Sequence, residues 1–469
     1  MPNGQPAHEQ KVARVARQLR EHASGRPLRI RKRATPHEVP KARDLRYSDD
    51  TIDTSDLDQI LSIDPVARVC VAEPGVTFVD LVAATLPHGL VPLVVPELKT
   101  ITIGGAVSGC SLESTSFRFG GFHDGCLEYE VITARGDVLV CTPENEHRLL
   151  FQMLHGSFGT LGVLTRLTFR LLPAKPFVHV VYERHRTLAG YQAAILRHSE
   201  AADVDFMDGI IHSPTEWALC LGRLVDRAPY THRYDWTRVY YRTTRTRAED
   251  YLRTPDYFFR YDHGVTNVHP KTFLGRLLFG KALDSERALR LYRLLTRVLP
   301  AGPPRITVDV FIPFSRMEAF MEWYRPTFGH FPLWCVPFRP ARAYEWLHPR
   351  IFDGLRDTLF VDLAIYGMRQ PPGINLHKAL EEKLLELGGL KTLISHNYYS
   401  PEDFWKTWNR DNYARVKAQT DPDNVFRDLY DKTCLAARGL TRPEDGDAAA
   451  PPPPPARSSG GGARETPTP

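Results

Sequence analysis

At 469 residues, with 42% apolar and 10% aromatic side chains, the protein can bury a large core and is long enough for two domains. These figures exclude a peptide-sized or fibrous protein. The formal net charge is only +5, which gives a mild bias toward anionic ligands and is not the signature of a nucleic-acid-binding protein.

The seven cysteines are odd in number and widely spaced, and none belongs to a C-x-x-C pair. This pattern argues against a disulfide framework and a zinc site, so we expect no metal and a reducing compartment. No apolar run approaches the ~18 residues needed to span a bilayer. We therefore expect a cytoplasmic protein, with peripheral membrane contact left open.

The first 176 residues alternate between helical and strand-like patterns. The predicted elements are, in chain order, a helix over 9–21, strands over 27–31 and 68–72, a helix over 77–86, a hairpin of strands over 128–133 and 138–142, and a β-rich run over 161–172. This alternation predicts an α+β or α/β domain.

The middle of the sequence predicts a second domain of sheet and helix together. Its clearest elements are strands over 305–312 and 359–366 and helices over 284–298 and 376–387. The last segment, 441–469, is rich in Pro, Gly and Ser and has almost no large apolar residue, so burial cannot offset its ordering entropy. We expect that tail to be disordered.

The most informative stretch is PELKTITIGGAVSGCSLESTSFRFGGF, over 96–122. Its glycines let a backbone approach a ligand closely, and its Ser and Thr residues offer hydroxyl donors, as a diphosphate and a flavin edge require. An ordinary glycine-rich turn explains the composition equally well. A G-x-G-x-x-G motif is absent, so a Rossmann dinucleotide site is not indicated.

This stretch and its continuation, LESTSFRFGGFHDGCLEYEVITARGDVLVCTP, resemble the second half of the FAD-binding domain of vanillyl-alcohol-oxidase-type (PCMH-type) flavoproteins. HGSFGTLGVLTRLTFRLLP resembles that family's closing motif, and NYARVKAQTDPDNVF resembles its C-terminal element. The resemblance implies an α+β fold, in which a two-subdomain FAD-binding domain is joined to a second α+β substrate (cap) domain. We expect the first to cover 1–176, the second 177–405, and 406–440 to return to the FAD-binding domain.

The resemblance also implies which residues bind FAD. The loop over 29–44 has no glycine, unlike most of the family, and offers basic side chains to the diphosphate instead; a solvated charged loop is the alternative. The expected cofactor-binding residues are Arg31, Lys32, Arg33, Pro96, Thr102, Ile103, Gly104, Gly105, Ala106, Ser108, Gly109, Ser111, Glu113, Ser114, Ser116, Gly120, His123, Asp124, Gly159, Gly162, Val163 and Lys417. For Asp124, capping of a turn is an equal alternative.

The flavin is expected to bind without a covalent link. His37 stands where many family members carry a flavin-linked histidine, but it lacks their small Gly-Gly-His-Ser surroundings. Leu98 stands where a second, cysteinyl link would form.

Phrases spread over 91–405, among them LVPLVVPELKTITIGG, DVDFMDGIIHSPTEWAL and FPLWCVPFRP, resemble the Δ24-sterol reductase branch of that superfamily. This resemblance implies an FAD-dependent oxidoreductase that reduces a carbon–carbon double bond in the side chain of a sterol or other isoprenoid-like substrate, with NADPH as a transient hydride donor. Two alternatives stay open: an FAD-dependent alcohol or sugar oxidase, and a flavin- or sterol-binding protein without turnover.

Reduction of an isolated alkene needs a general acid, because a double bond accepts hydride poorly unless a proton reaches its other carbon. Asp362 and Tyr366 are four residues apart on one predicted strand, so they should share a face. His396 and Tyr398 form a second polar group. By resemblance, Lys417 should stabilise the anionic reduced flavin; a solvated lysine is the alternative interpretation.

Overall fold

The computed structural model describes residues 5–264, 285–298, 304–353 and 359–443. Within these ranges the strands form three sheets, of two, six and eight strands. The strands are β1 (Leu28–Arg31), β2 (Asp50–Asp53), β3 (Ile60–Asp64), β4 (Val69–Ala72), β5 (Leu90–Pro92), β6 (Cys126–Ile132), β7 (Val138–Cys141), β8 (Val163–Pro173), β9 (Phe177–His185), β10 (Phe206–Ser213), β11 (Glu216–Val225), β12 (Glu249–Arg253), β13 (Ile306–Pro313), β14 (Leu333–Phe338), β15 (Phe360–Met368) and β16 (Leu390–Lys391). The α-helices are α1 (Gln5–Arg20), α2 (Phe78–Thr85), α3 (Ile103–Ser108), α4 (Ser116–Phe119), α5 (Arg148–Met153), α6 (Leu188–Ala201), α7 (Tyr240–Thr243), α8 (Thr254–Phe258), α9 (Ser285–Val298), α10 (Met317–Thr327), α11 (Leu376–Leu387), α12 (Pro401–Trp405) and α13 (Arg410–Thr420). The mixed α+β fold class predicted from the sequence is confirmed.

Helix α1 is amphipathic because Val12, Val15 and Leu19 recur at helical spacing. Their side chains are buried in one hydrophobic cluster with Leu28 of β1 and Ile52 of β2. Strands β1 and β2 pair in parallel, so the helix and this small sheet form one packed unit. The helix predicted over 9–21 and the strand predicted over 27–31 are confirmed.

Charged groups also hold α1 in place. His8 lies between two carboxylates, with Nδ1 2.9 Å from Glu73 Oε1 and Nε2 2.9 Å from Glu130 Oε1. Burial would lower the pKa of His8, but the hydrogen bonds to Glu130 and Glu73 outweigh it and raise that pKa to about 9. Lys11 Nζ adds an ion pair of 2.8 Å to Glu73.

The six-stranded sheet has the order β3-β4-β8-β6-β7, and β5 also pairs with β8. Alternate residues of β8, including Leu167 and Phe169, point into the core, as a strand with one buried face requires. Strands β6 and β7 pair antiparallel, which confirms the predicted hairpin. β8 begins at Val163, directly after a glycine-containing turn, so that turn lies at one end of the sheet.

The eight-stranded sheet has the order β12-β9-β11-β10-β14-β15-β13-β16, and its two faces differ. Val308, Val310 and Leu363 belong to a hydrophobic cluster with residues of α6, α10 and α11, so these helices cover one face. Because side chains alternate along a strand, Asp309 and Asp362 point to the opposite face, toward the six-stranded sheet.

The C-terminal segment packs against the first 176 residues. Leu28 N donates to Val425 O at 2.7 Å, and Ala134 N donates to Thr420 O at 2.8 Å. Tyr413 Oη donates to Thr160 Oγ1 at 2.9 Å. Residues 444–469, most of the tail predicted to be disordered, lie outside the described residues.

The glycine-rich stretch is not simply a turn, because Ile103–Ser108 form helix α3, which is not predicted from the sequence. Thr102 caps this helix: its Oγ1 accepts a hydrogen bond from Gly105 N at 3.3 Å. Across the described ranges, no helix combines the length and apolar character that crossing a membrane requires. In the same part of the protein, no group of His, Cys, Asp or Glu side chains could hold a metal ion.

Candidate active site

A cavity of about 490 Å³ lies between the first 176 residues and the open face of the eight-stranded sheet. Its volume is within the ~300–1,000 Å³ of typical ligand pockets. Of the residues expected to bind the cofactor, those that line it are Arg31, Lys32, Pro96, Thr102, Gly104, Gly105, Ser108, Gly109, Ser111, Gly159, Gly162 and Val163. The structure thus brings the loop after β1, the start of α3 and the turn before β8 to one place.

The two glycines that open α3 have different surroundings. A Cβ on Gly104 would lie 2.6 Å from Pro74 Cβ, so this glycine is needed for backbone packing. A Cβ on Gly105 would lie 3.1 Å from Thr102 Oγ1 and 3.3 Å from Lys32 Nζ, the polar atoms at this wall of the cavity. The φ angle of Gly105 is not positive, so only the space above it, and not backbone strain, favours glycine there.

Two half-buried lysines face the cavity from different segments. Lys32 Nζ donates to Thr102 Oγ1 at 3.0 Å, and Lys432 Nζ donates to Phe158 O at 2.6 Å. Burial, together with nearby arginine charges, lowers the pKa of each lysine to about 8 against the attraction of Glu38. Cations destabilised in this way favour the binding of an anion.

Glu38 and Asp44 are acidic residues among these cations, and both form ion pairs with Arg46. Arg46 Nη1 lies 2.7 Å from Glu38 Oε2. Burial would raise the pKa of Glu38, but Arg46, Lys41 and Lys432 outweigh it and lower that pKa to about 2. Two carboxylates therefore stand against Arg46, Lys32, Lys41 and Lys432, which leaves this end of the cavity positive.

His37 also lines the cavity, with Nε2 3.3 Å from Thr100 Oγ1. Burial, with the charges of Lys32 and Arg293, lowers its pKa to about 3. The imidazole is therefore neutral at physiological pH.

The other expected basic residues of this loop point toward solvent. Arg31 Nη2 pairs with Asp53 Oδ2 at 2.5 Å and is only at the cavity's edge. Arg33 Nη2 pairs with Asp58 Oδ2 at 2.9 Å and is outside the cavity lining. Of the three basic residues, Lys32 is the one directed inward.

The opposite wall comes from the eight-stranded sheet. Asp309 and Phe311 of β13, Trp334 of β14, and Asp362 and Tyr366 of β15 all line the cavity. Tyr366 Oη donates to Asp309 Oδ1 at 2.6 Å. Asp362 and Tyr366 therefore share a face, as their spacing predicts.

Several expected cofactor residues instead join the two halves of the molecule. Glu113 Oε1 lies 3.2 Å from Nη2 of the buried Arg260, and Tyr257 Oη donates to Ser114 Oγ at 3.3 Å. Ser116 O accepts a hydrogen bond from Arg339 N. Glu113, Ser114 and Ser116 are outside the cavity lining.

The end of the glycine-rich stretch is also outside the lining. Asp124 Oδ2 accepts hydrogen bonds from Gly121 N at 2.9 Å and from Tyr344 Oη at 2.6 Å, so Asp124 caps a turn. A Cβ on Gly120 would collide with the Asp124 carboxyl. His123 packs against His155 at a ring-centroid distance of 4.7 Å. Ile103 and Ala106 are in the hydrophobic core, on the far side of α3.

Lys417 is not at the cavity either. Its Nζ donates to Thr160 O at 2.9 Å, to Phe426 O at 2.8 Å and to Asp421 Oδ2 at 2.5 Å. An ammonium group has three N–H donors, and all three are used here. In this structure Lys417 joins the C-terminal segment to the turn before β8, whereas Lys432 is the C-terminal lysine that lines the cavity.

His396 and Tyr398 form a separate, half-buried group beside the buried His377. The ring of His377 lies 5.5 Å from that of His396 and is stacked 5.8 Å from that of Tyr398. The Arg438 guanidinium lies over Tyr398, 4.2 Å from the ring centroid. Neither His396 nor Tyr398 lines the cavity.

Among the cavity residues that sequence reasoning missed are Glu97, Asp309 and Lys432. Asp309 had a visible signal, because it is a single carboxylate within the apolar strand ITVDVFIP. Glu97 had a weaker one, as the acidic residue of PELKT before the glycine-rich stretch. Lys432 had none, since it lies in the π-helical turn Asp431–Leu435 beyond the recognised C-terminal element.

Comparison with known proteins identifies a matching family and several relatives of this sequence. Residues 4–142 match the family described as "FAD binding domain". The sequence is 25% identical to the Δ24-sterol reductase of Homo sapiens over 475 residues, which cover 92% of this protein and 87% of the relative. It is 21% identical to the Δ24-sterol reductase of Pisum sativum, over 91% of this protein and 84% of the relative. It is 25% identical to the decaprenylphosphoryl-β-D-ribose oxidase of Mycolicibacterium smegmatis, over 80% of this protein and 82% of the relative.

Proposed function

We propose that this protein, an FAD-linked oxidoreductase with an FAD-binding domain of the vanillyl-alcohol-oxidase type, reduces a carbon–carbon double bond in a hydrophobic, sterol-like substrate. NADPH is the proposed source of the hydride. The relatives named Δ24-sterol reductase support this choice because they match over most of both sequences.

The observation that carries the proposal is the contrast between the two walls of one cavity. One wall has two half-buried cations, Lys32 and Lys432, and the start of α3, where Gly105 leaves space for a ligand. The other has the rings of Phe311 and Trp334 together with carboxyl groups. An anionic cofactor fits the first wall, and an apolar substrate that needs a proton fits the second.

The residues present fit FAD on two grounds. The destabilised ammonium groups of Lys32 and Lys432 would hold a diphosphate or an anionic ring edge, and the missing side chain of Gly105 lets a ligand approach α3. Bound there, the cofactor would supply hydride to the substrate. We propose that it is held non-covalently, because His37 has the bulky neighbours Pro36 and Glu38.

The rival function is oxidation of an alcohol or sugar. The relative named decaprenylphosphoryl-β-D-ribose oxidase supports it at a similar identity over a shorter part of the sequence. Oxidation of a C–OH group needs a general base close to the hydroxyl. The carboxyl groups on the substrate wall would have to be ionised for that role.

Anaerobic spectroscopy separates the two functions. The purified protein, reconstituted with FAD, is mixed without oxygen with NADPH, and in a parallel sample with a panel of alcohols and sugars. Bleaching of the flavin absorbance by NADPH, followed by its return on addition of a sterol with a double bond in its side chain, is the expected result. Bleaching by an alcohol but not by NADPH would establish the oxidase instead. A protein that cannot be reconstituted with FAD would exclude both.

A further inference from the structure

Three carboxyl groups that come from three different segments line the substrate side of the cavity. They belong to Glu97, Asp309 and Asp362. In the register of β13 and β15, Phe311 lies opposite Asp362 and Asp309 lies opposite Ala364, so the two aspartates are diagonal neighbours on one face. Diagonal neighbours on two paired strands lie ~7–8 Å apart, and their side chains can interact. Glu97 reaches the cavity from the other half of the molecule.

Of the three carboxyl groups, Asp362 has the fewest contacts that would stabilise a negative charge. It is 5% exposed, and its buried Oδ1 has no hydrogen-bond partner among the described residues. Asp309, by contrast, accepts the hydroxyl of Tyr366 at 2.6 Å. A buried carboxylate without a cation or a hydrogen-bond donor is costly, so a carboxyl group in this position is held in its neutral form.

We propose, on the basis of the reductase function above, that Asp362 is the proton donor to the substrate double bond and that Asp309, Tyr366 and Glu97 are positioning residues that keep it protonated. Asp362 lines the cavity and its Oδ1 has no hydrogen-bond partner among the described residues, so no such bond at Oδ1 diverts this carboxyl group from a ligand there. His396 and Tyr398 are excluded from this role because they do not line the cavity.

Hydride and proton reach the two carbons of the double bond from different donors. The π bond of the alkene breaks, one carbon gains hydride from the reduced flavin, and the other gains the proton of the Asp362 carboxyl as its O–H bond breaks. The two electrons come from NADPH, through the flavin. Asp362 is left as a carboxylate and regains its proton from solvent.

The electrostatics of the surroundings support a protonated Asp362. Burial raises its pKa well above the usual range, and the charges of Asp309 and Glu97 raise it further. Burial also raises the pKa of Asp309 to about 6, against the hydrogen bonds from Tyr366 and Thr392. Burial and the charge of Glu113 raise the pKa of Glu97 to about 8, against the attraction of Arg260. Cys335 of β14, whose own pKa is raised by burial, is a further titratable neighbour.

Single-turnover half-reactions of Asp362→Asn test this assignment. Asparagine keeps the shape of the aspartate and cannot supply an acidic proton. Bleaching of the flavin by NADPH should proceed as in the parent, whereas its return on addition of the alkene should slow by ~10²–10⁴-fold, the usual contribution of a general acid. In the parent, the rate of that return should fall as pH rises through the pKa of the donor. Asp362→Glu should recover part of it.

The matched control is Asp250→Asn. Asp250 is also fully buried, on edge strand β12 of the eight-stranded sheet, but it is outside the cavity lining and accepts hydrogen bonds from Tyr234 and His232. It should leave the alkene half-reaction at the parent's rate. Asp362→Asn with an unchanged alkene half-reaction would overturn the donor assignment alone. If NADPH bleaches the flavin of the parent but no alkene restores its absorbance, the proposed function and the donor assignment are both overturned.

A second readout needs neither cofactor nor substrate. A carboxyl whose folded pKa is raised binds more protons folded than unfolded, so the free energy of unfolding falls as pH rises above the unfolded value of ~3.9. Asp362→Asn removes that loss, and the variant should gain stability relative to the parent between pH 5 and 8. A difference that does not grow with pH would show that Asp362 is ionised in the folded protein and would overturn the proposal.

Discussion

At the scale of single residues, Gly104 and Gly105 are neighbours with opposite surroundings. A side chain on Gly104 meets the Pro74 backbone and ring, whereas a side chain on Gly105 meets Lys32 Nζ and the cavity. Glycine composition alone could not separate these two cases, because both positions belong to the same motif. The distinction depends on which side of α3 faces the cavity, and the sequence did not even predict a helix there.

Gly105→Val should lower the affinity for FAD by about tenfold or more, because the added side chain occupies space that the cofactor needs. A loss of about 1.4 kcal/mol in binding free energy raises Kd tenfold. The melting temperature of the apoprotein should change little, because valine is tolerated in a helix at least as well as glycine. The measurement is FAD titration by flavin fluorescence.

Gly104→Ala is the control for this variant. Its Cβ would lie 2.6 Å from Pro74 Cβ, so its main effect should be a lower melting temperature of the apoprotein. If Gly105→Val binds FAD as tightly as the parent, the placement of the cofactor against α3 is wrong.

Lys417 and Lys432 form a second contrasting pair. Lys417→Met should destabilise the fold by ~3–5 kcal/mol, because it leaves the buried Asp421 without its cation. Lys432→Met should instead weaken FAD binding and cost less stability, since its ammonium group is already destabilised by burial. Urea unfolding of both apoproteins, beside FAD titrations, compares them. Equal losses of stability would contradict the assignment.

At the scale of elements, period and pattern predicted most helices and strands, and the strand period correctly placed Asp362 and Tyr366 on one face. It did not predict that Asp309 would join them. That depends on the pairing of β13 with β15, a long-range choice with no local signal. For the same reason, the sequence assigns Glu113 and Asp124 to the cofactor, although they contact Arg260 and Tyr344.

Helix α1 should dock in a pH-dependent way. Because the folded pKa of His8 is raised from 6.5 to about 9, its stabilising effect is fully present below pH ~6.5 and is lost as pH rises through 9. The melting temperature of the parent should therefore fall between pH ~7 and ~9.5 by more than that of His8→Gln. Parallel curves for the two proteins would show that His8 does not carry this charge.

At the scale of the whole molecule, the cavity is shared by both large sheets and by the C-terminal segment. The family resemblance predicted this arrangement in outline, and the residues that line it come from positions as distant as Lys32 and Lys432. Composition and periodicity could not predict it, because they describe each element separately.

FAD should therefore stabilise the protein as a whole. At a ligand concentration about 100-fold above Kd, the expected gain in the free energy of unfolding is ~2.7 kcal/mol. Calorimetry of the apo and FAD-loaded proteins should show the entire transition moving to higher temperature. A shift of one part of the transition alone would mean that FAD contacts only one half of the molecule.

Acid or heat denaturation should also release free FAD into the supernatant, and yellow colour retained by the precipitate would contradict non-covalent binding.

The most direct test of the proposed function is the product of one anaerobic turnover. The FAD-loaded protein is reduced with NADPH, freed of excess nucleotide and mixed with a sterol that carries a double bond in its side chain, and the products are identified by mass spectrometry. We expect a sterol saturated at that bond, in an amount equal to the reduced flavin and formed as the flavin absorbance returns. Recovery of unchanged sterol from a fully reduced enzyme would contradict the proposed function.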